Sequence, residues 1–162
     1  AAAMQESGAG YEETIARIKE IRSSGRIFFT VGNMEYLKAG GRIGKVAGAA
    51  GALLGIKPII TLKEGEIFPS GIGRVRKKTM LKTIDLLLAY LHERAADISR
   101  YSIAVGYGYD MAEAQEYRAL VLERLRGEYG EVALPVYQIG ATIGVHTGPY
   151  PIGLGIVEKA LL

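Results

Sequence analysis

Three stretches of this chain hold residues whose types and spacing could do chemistry. His146 lies in Gly144-Val145-His146-Thr147-Gly148-Pro149. An imidazole beside a hydroxyl and ahead of a rigid turn can contact an anionic or hydroxylated ligand. The same ring also reads as a buried histidine that satisfies a core hydrogen bond. Arg42 lies in Gly40-Gly41-Arg42-Ile43-Gly44. Its planar fork suits carboxylate or phosphate, and the glycines let the backbone turn sharply around it. An exposed loop arginine is the plainer reading. The third stretch, Arg74-Val75-Arg76-Lys77-Lys78, leads into a helix. Cations at a helix N-terminus face the unfavourable end of the dipole, at about 0.3–1 kcal/mol each. Either solvation or an anionic partner surface accounts for the run.

Other chemistries are excluded or weak. The 162 residues contain no cysteine, which removes disulfides, thiolate zinc sites and thiol nucleophiles. No cluster has metal-ligand spacing, and neither a nucleophile elbow nor a phosphate-binding P-loop occurs. Gly106-Tyr107-Gly108 opens like a dinucleotide fingerprint, but Met111 stands where its third glycine belongs. His92, near a helix end, reads as a surface or capping group. No residue is singled out as catalytic, and no metal or cofactor is expected. A net charge of +3 is too small to imply nucleic acid.

These candidates must be placed by one domain of ordinary size. Hydrophobic residues make up 49% and charged residues 23%, so a packed core is expected rather than disorder. Helical spacing covers Glu12 to Arg22, and Ile27 to Val31 reads as a strand. Asn33 caps a short helix through Leu37, stopped at Gly40-Gly41. Lys45 to Ile56 is an Ala/Gly helix thin enough for close approach. Two apolar runs around Lys63-Glu64-Gly65-Glu66 form a hairpin. Met80, Ile84, Leu87, Leu88 and Leu91 mark one face of a long helix, and Ala114, Tyr117, Val121 and Leu125 mark a second. Ser102 to Val105, Val132 to Tyr137 and Ile152 to Val157 read as strands, with Gly140 to Pro151 a loop. The uncharged stretch Val132 to Val157 holds Pro135, Pro149 and Pro151, which break any spanning helix. No membrane segment or signal peptide is expected. The order predicts an α+β two-layer sandwich, a mixed and largely antiparallel sheet with helices on one face.

At this point the motifs carry a resemblance. Glu35-Tyr36-Leu37-Lys38-Ala39-Gly40-Gly41-Arg42-Ile43 resembles the "EYL-x-x-GGRI" signature of the DegV family. Leu54-Gly55-Ile56-Lys57-Pro58-Ile59 is similar to its "L-x-IKPI" stretch, and Arg74-Val75-Arg76-Lys77-Lys78 to its "VR-x-x-KA" segment. Val145-His146-Thr147-Gly148-Pro149 resembles its terminal "HTGPG" motif. The order and spacing match from about Glu12 onward. Two features depart from the pattern: Tyr150-Pro151 follows the last motif where a small residue is usual, and Gly106-Tyr107-Gly108-Tyr109 replaces a polar segment.

The resemblance implies a two-domain bacterial, cytoplasmic protein that binds a long-chain fatty acid in a tunnel between its domains. It further implies a partner, the ATP-binding component of a fatty-acid kinase, which phosphorylates the carboxylate on the way to phospholipid synthesis. Residues 1–162 then correspond to the C-terminal domain, with 1–25 a remnant of the inter-domain region. The N-terminal domain, with its carboxylate-holding hydroxyls, is expected to be missing. By resemblance, Arg42 and His146, with Gly41, Ile43, Thr147 and Gly148, belong to the fatty-acid site. Arg74, Arg76, Lys77 and Lys78 belong to the kinase-docking face. Two other readings stand beside this one: a phosphotransfer or hydrolytic enzyme using His146, and a domain that only shapes a kinase or dimer surface. If the Ala/Gly segment lies against the acyl chain, Gly48→Leu in the full-length protein reduces lipid uptake. Mass spectrometry of organic extracts measures this, and unchanged uptake and stability would leave that segment a packing element only.

Overall fold

The computed structural model describes residues 1–47, 55–94 and 97–160. In chain order the elements are α1 (Ala2–Glu6), α2 (Tyr11–Ser24), β1 (Arg26–Thr30), α3 (Glu35–Ala39), α4 (Gly44–Ala47), β2 (Lys57–Lys63) and β3 (Glu66–Gly73). They continue with α5 (Arg76–Glu93), a short 3-10 turn, β4 (Tyr101–Tyr107), α6 (Met111–Tyr129), β5 (Val136–Gln138), α7 (Ala141–Thr147) and β6 (Ile152–Glu158). The six strands form one sheet in the order β3-β2-β1-β6-β4-β5. Among the described residues only β4 and β5 pair in parallel. This is the expected α+β sandwich with a largely antiparallel sheet.

The expected hairpin joins β2 to β3, with Lys63 opposite Glu66. Glu64 and Gly65 both have positive φ, 52° and 82°, which matches the twist of the strands they connect.

Strand alternation gives the sheet two different faces. On one face Phe28, Leu154 and Val105 lie in register. The apolar stripes of α5 and α6 cover them, as expected from the helical spacing, and build the main core. Inside it Thr83 donates to the Met80 carbonyl at 2.6 Å. Its only proton is thereby used, so Tyr117 donates to the Thr83 hydroxyl at 2.5 Å. Burial pushes the Tyr117 phenol well above its usual range and keeps it protonated. On the other face Phe29 and Ile60 meet Val31, Leu37, Ile43 and Val46 in a second, smaller cluster. The short helices α3 and α4 therefore cap this face at one end.

Several expectations need correction. Gly140–Pro151 is not a loop throughout, because α7 forms inside it. Gly144 costs an isolated helix about 1 kcal/mol, but α7 packs on α3, and tertiary contact overrides propensity. The expected strand from Val132 shrinks to Val136–Gln138. Ahead of it Leu134 is buried and its carbonyl accepts from Arg118 Nε at 2.7 Å. Asn33 stands one residue before the cap position of α3 and accepts from the Glu35 amide at 3.0 Å. The Ala/Gly segment is helical over Gly44–Ala47, and its remainder up to residue 54 lies outside the described residues. Residues 1–25 hold α1 and α2. Ser24 Oγ accepts from the Glu158 amide, and Arg17 donates to the Lys159 carbonyl, so α2 is tied to the end of β6.

The long helices are also joined at their N-termini. Arg76 opens α5, and Glu113 of α6 takes its fork on both oxygens, with the Nη2–Oε2 bond at 2.6 Å. Asp110 caps α6 by accepting from the Glu113 amide at 3.0 Å, which leaves the Glu113 carboxylate free for Arg76. The two side chains are 21% and 23% exposed, between a surface pair worth about 0–1 kcal/mol and a buried one worth about 3–5 on truncation. A double-mutant cycle of Arg76→Gln and Glu113→Gln, read by denaturant unfolding, is expected to give a coupling of about 1–2 kcal/mol. Additive losses would show that the bond stabilises nothing.

Candidate functional site

The site is built where α3 and α7 meet, at the capped end of the sheet. α3 ends at Gly40, and Gly41 turns left-handed at φ 67°. That turn lets the Arg42 and Ile43 amides both donate to the Leu37 carbonyl, at 2.9 and 3.0 Å. Ile43 is drawn into the second cluster. Arg42, between the left-handed glycine and this anchor, is left exposed. Its Nη1 donates to the Gly40 carbonyl at 2.9 Å.

His146 lies in the last turn of α7, which Gly148 ends at φ 73°. Its Nδ1 is shielded from solvent and has no hydrogen-bond partner among the described residues. That nitrogen lies against Gly40, so closely that a Cβ on Gly40 would overlap it. Arg42 and His146, far apart in the chain, therefore meet at one residue.

The other expected members have different positions. The Thr147 hydroxyl donates back to the Ile143 carbonyl at 3.1 Å, inside its own helix. Gly148 is buried beneath the Tyr36 ring, and Gly41 supplies the turn. Ile43 faces the core cluster. Within the basic run, Arg74, Lys77 and Lys78 are exposed, whereas Arg76 is committed to Glu113. It does not add a free charge to a docking face. The two departures in the sequence also come together: Tyr109 and Tyr150 stack edge to face, centroids 6.3 Å apart.

One feature escaped the sequence reading. Below the α3–α4 cap, the described residues leave the second face of the sheet uncovered, and it forms an open groove of about 1000 Å³. Leu62, Ile27, Gly155 and Ala104 lie side by side across its floor. The next row toward the cap is Ile60, Phe29, Gly153 and Gly106, on the same face. The groove thus shares a face with the α3–α4 cap, and the row of Phe29 and Ile60 lies between them. Its sequence signal was the bare alternation Gly153-Leu154-Gly155-Ile156 beside strands apolar on both sides. At the groove's rim Ser99 bonds the Asp97 carboxyl and holds it below the usual carboxylate range. Among the described residues no group of three or more His, Asp and Glu could hold a metal, and no helix is long and apolar enough to cross a membrane.

Relatives carry the same architecture. A DegV domain-containing protein of Clostridium perfringens is 35% identical over 160 residues, 98% of this chain and 54% of its own length. A solved structure described as a stearic acid-binding protein from Eubacterium ventriosum is 41% identical, with a TM-score of 0.84 over 98% of this chain and 53% of that one. Another, described as fatty acid binding of a DegV family protein from Thermus thermophilus, is 28% identical, with a TM-score of 0.79 over 97% and 54%. The chain spans about half the length of these relatives. The family model described as "Uncharacterised protein, DegV family" matches residues 1–159, and with a fold shared at this level the chain belongs to the DegV family.

Proposed function

We propose that this domain binds a long-chain fatty acid, with the acyl chain along the apolar groove and the carboxylate at Arg42 and His146. The observation that carries this is the convergence of the two side chains on Gly40 at the head of an apolar sheet face. The groove supplies non-directional burial for methylenes, about 0.8 kcal/mol each. The guanidinium supplies a charge-assisted bond to the head group. The fatty acids bound by the relatives from Eubacterium ventriosum and Thermus thermophilus support the same ligand class. Gly41, Thr147, Gly148 and Ile43 serve this site by shaping the backbone and core around it. In the full-length protein, Arg42→Ala or His146→Ala is expected to weaken stearate binding by about 1.5–3 kcal/mol and to leave octadecanol binding unchanged. Isothermal titration with both ligands checks this; unaltered stearate affinity in both variants would remove the site.

The bound acid is presented, in the cytoplasm, to the ATP-binding component of a fatty-acid kinase, as a step toward phospholipid synthesis. Arg74, Lys77 and Lys78 form the docking charge, while Arg76 is spent within the fold. Charges of this kind speed encounter more than they add affinity, and salt screens them over about 8–10 Å. Arg74→Glu with Lys78→Glu is therefore expected to slow phosphorylation of bound acid at low salt with lipid binding intact. Stopped-flow association with the kinase checks it, and equal rates for variant and wild type would exclude this face.

A further inference from the structure

We infer that α3 and α7 hold Arg42 and His146 through a reciprocal clasp, in which Gly40 is the positioning residue for the His146 ring. The inference rests on the reading of Arg42 and His146 as the carboxylate-binding pair. α3 has five residues and α7 seven, too short to persist alone. Each ends at a glycine, and each glycine makes room for a side chain of the other helix. Tyr36 of α3 lies over Gly148, the C-cap of α7. His146 of α7 lies against Gly40, the C-cap of α3. A Cβ at either position would overlap the visiting ring.

The two glycines are needed for different reasons. Gly148 has φ 73°, where any side chain is strained. Gly40 has φ −79°, which every L-residue adopts. At Gly40 the requirement is space alone. That space decides the ring's orientation, because the usual means is absent. A histidine is normally oriented by a hydrogen bond to one ring nitrogen, which leaves the other to act. Nδ1 of His146 has no such partner among the described residues. Contact with the bare Gly40 backbone takes its place and leaves Nε2 as the nitrogen available to a ligand. The Gly40 carbonyl meanwhile accepts one of the five guanidinium N–H donors of Arg42, so four remain for a carboxylate. One residue thus sets both partners, through its missing side chain and through its carbonyl.

The test is Gly40→Ala in the full-length protein. Alanine suits the local backbone, so the fold and the unfolding temperature are expected to hold while the methyl displaces the ring. The ¹⁵N signals of the His146 imidazole, assigned with His146→Gln, are expected to move. Stearate affinity is expected to fall about tenfold or more, the loss of one charge-assisted bond, with octadecanol binding unchanged. Combining Gly40→Ala with His146→Gln should add no further loss. The Tyr36 side is tested separately: Tyr36→Leu shifts the same signals and lowers stearate affinity, and Tyr36→Phe, which retains the ring, restores both. This pair decides the matter if Gly40→Ala fails to fold. Unmoved His146 signals and full stearate affinity in Gly40→Ala, or in Tyr36→Leu, would overturn the clasp. Equal binding of stearate and octadecanol by the wild type would instead sink the carboxylate reading, and the His146 signals would still decide the clasp.

Discussion

β6 runs between β1 and β4, antiparallel to both, and its two faces are unlike. Ile152, Leu154 and Ile156 point into the main core beneath α5 and α6, while Gly153 and Gly155 point the other way. A Cβ on Gly153 would run into the Phe28 carbonyl and the Phe29 side chain. The centre of the sheet can close only because that position is bare, and Phe29 then folds across it into the second cluster. Gly155, one pleat further on, has nothing within contact distance of a Cβ. The same alternation thus closes the sheet at one row and leaves the groove open at the next.

The site follows from this division. Phe29 and Ile60 give the short helices something to cap, and Leu37, Ile43 and Val46 are the residues that bind them to the sheet. With Ile43 anchored, the left-handed turn at Gly41 pushes Arg42 outward. The chain reaches the same place a second time through α7, which brings His146 and Gly148 back against α3. Polar groups are therefore gathered at the head of an apolar surface, the arrangement an amphiphile with one charged end requires. The glycines of the two motifs act there as spaces for rings and as turn residues; none of them needs to touch a ligand to matter.

The basic run shows how a local pattern is redistributed by long-range pairing. Arg76 begins α5 with no acidic residue in that helix's first turn, so its charge is poorly placed with respect to its own dipole. Glu113 answers it from α6, in a bidentate bond that fastens the two core helices together. Arg74, Lys77 and Lys78 lie around this bond, on the solvent side. One stretch of sequence thus supplies both an internal fastening and an exposed cationic face.

What the sequence by itself determined were properties set by near neighbours. The amphipathic stripes of α5 and α6, the Glu64-Gly65 hairpin and the apolar run of β6 were legible because period and turn chemistry act within a few residues. So were the motifs that mark the family. Tertiary structure alone decided the rest. α7 was hidden because Gly144 and the flanking prolines read as a loop, and only packing on α3 makes that segment helical. The pairing of Arg76 with Glu113 joins residues 37 positions apart, and no local rule selects that partner among the carboxylates. The groove depends on which side of each strand the short helices cover. The meeting of Arg42 and His146 at Gly40 depends on a space that a missing side chain leaves, and such a space has no meaning until another part of the chain is brought there to fill it.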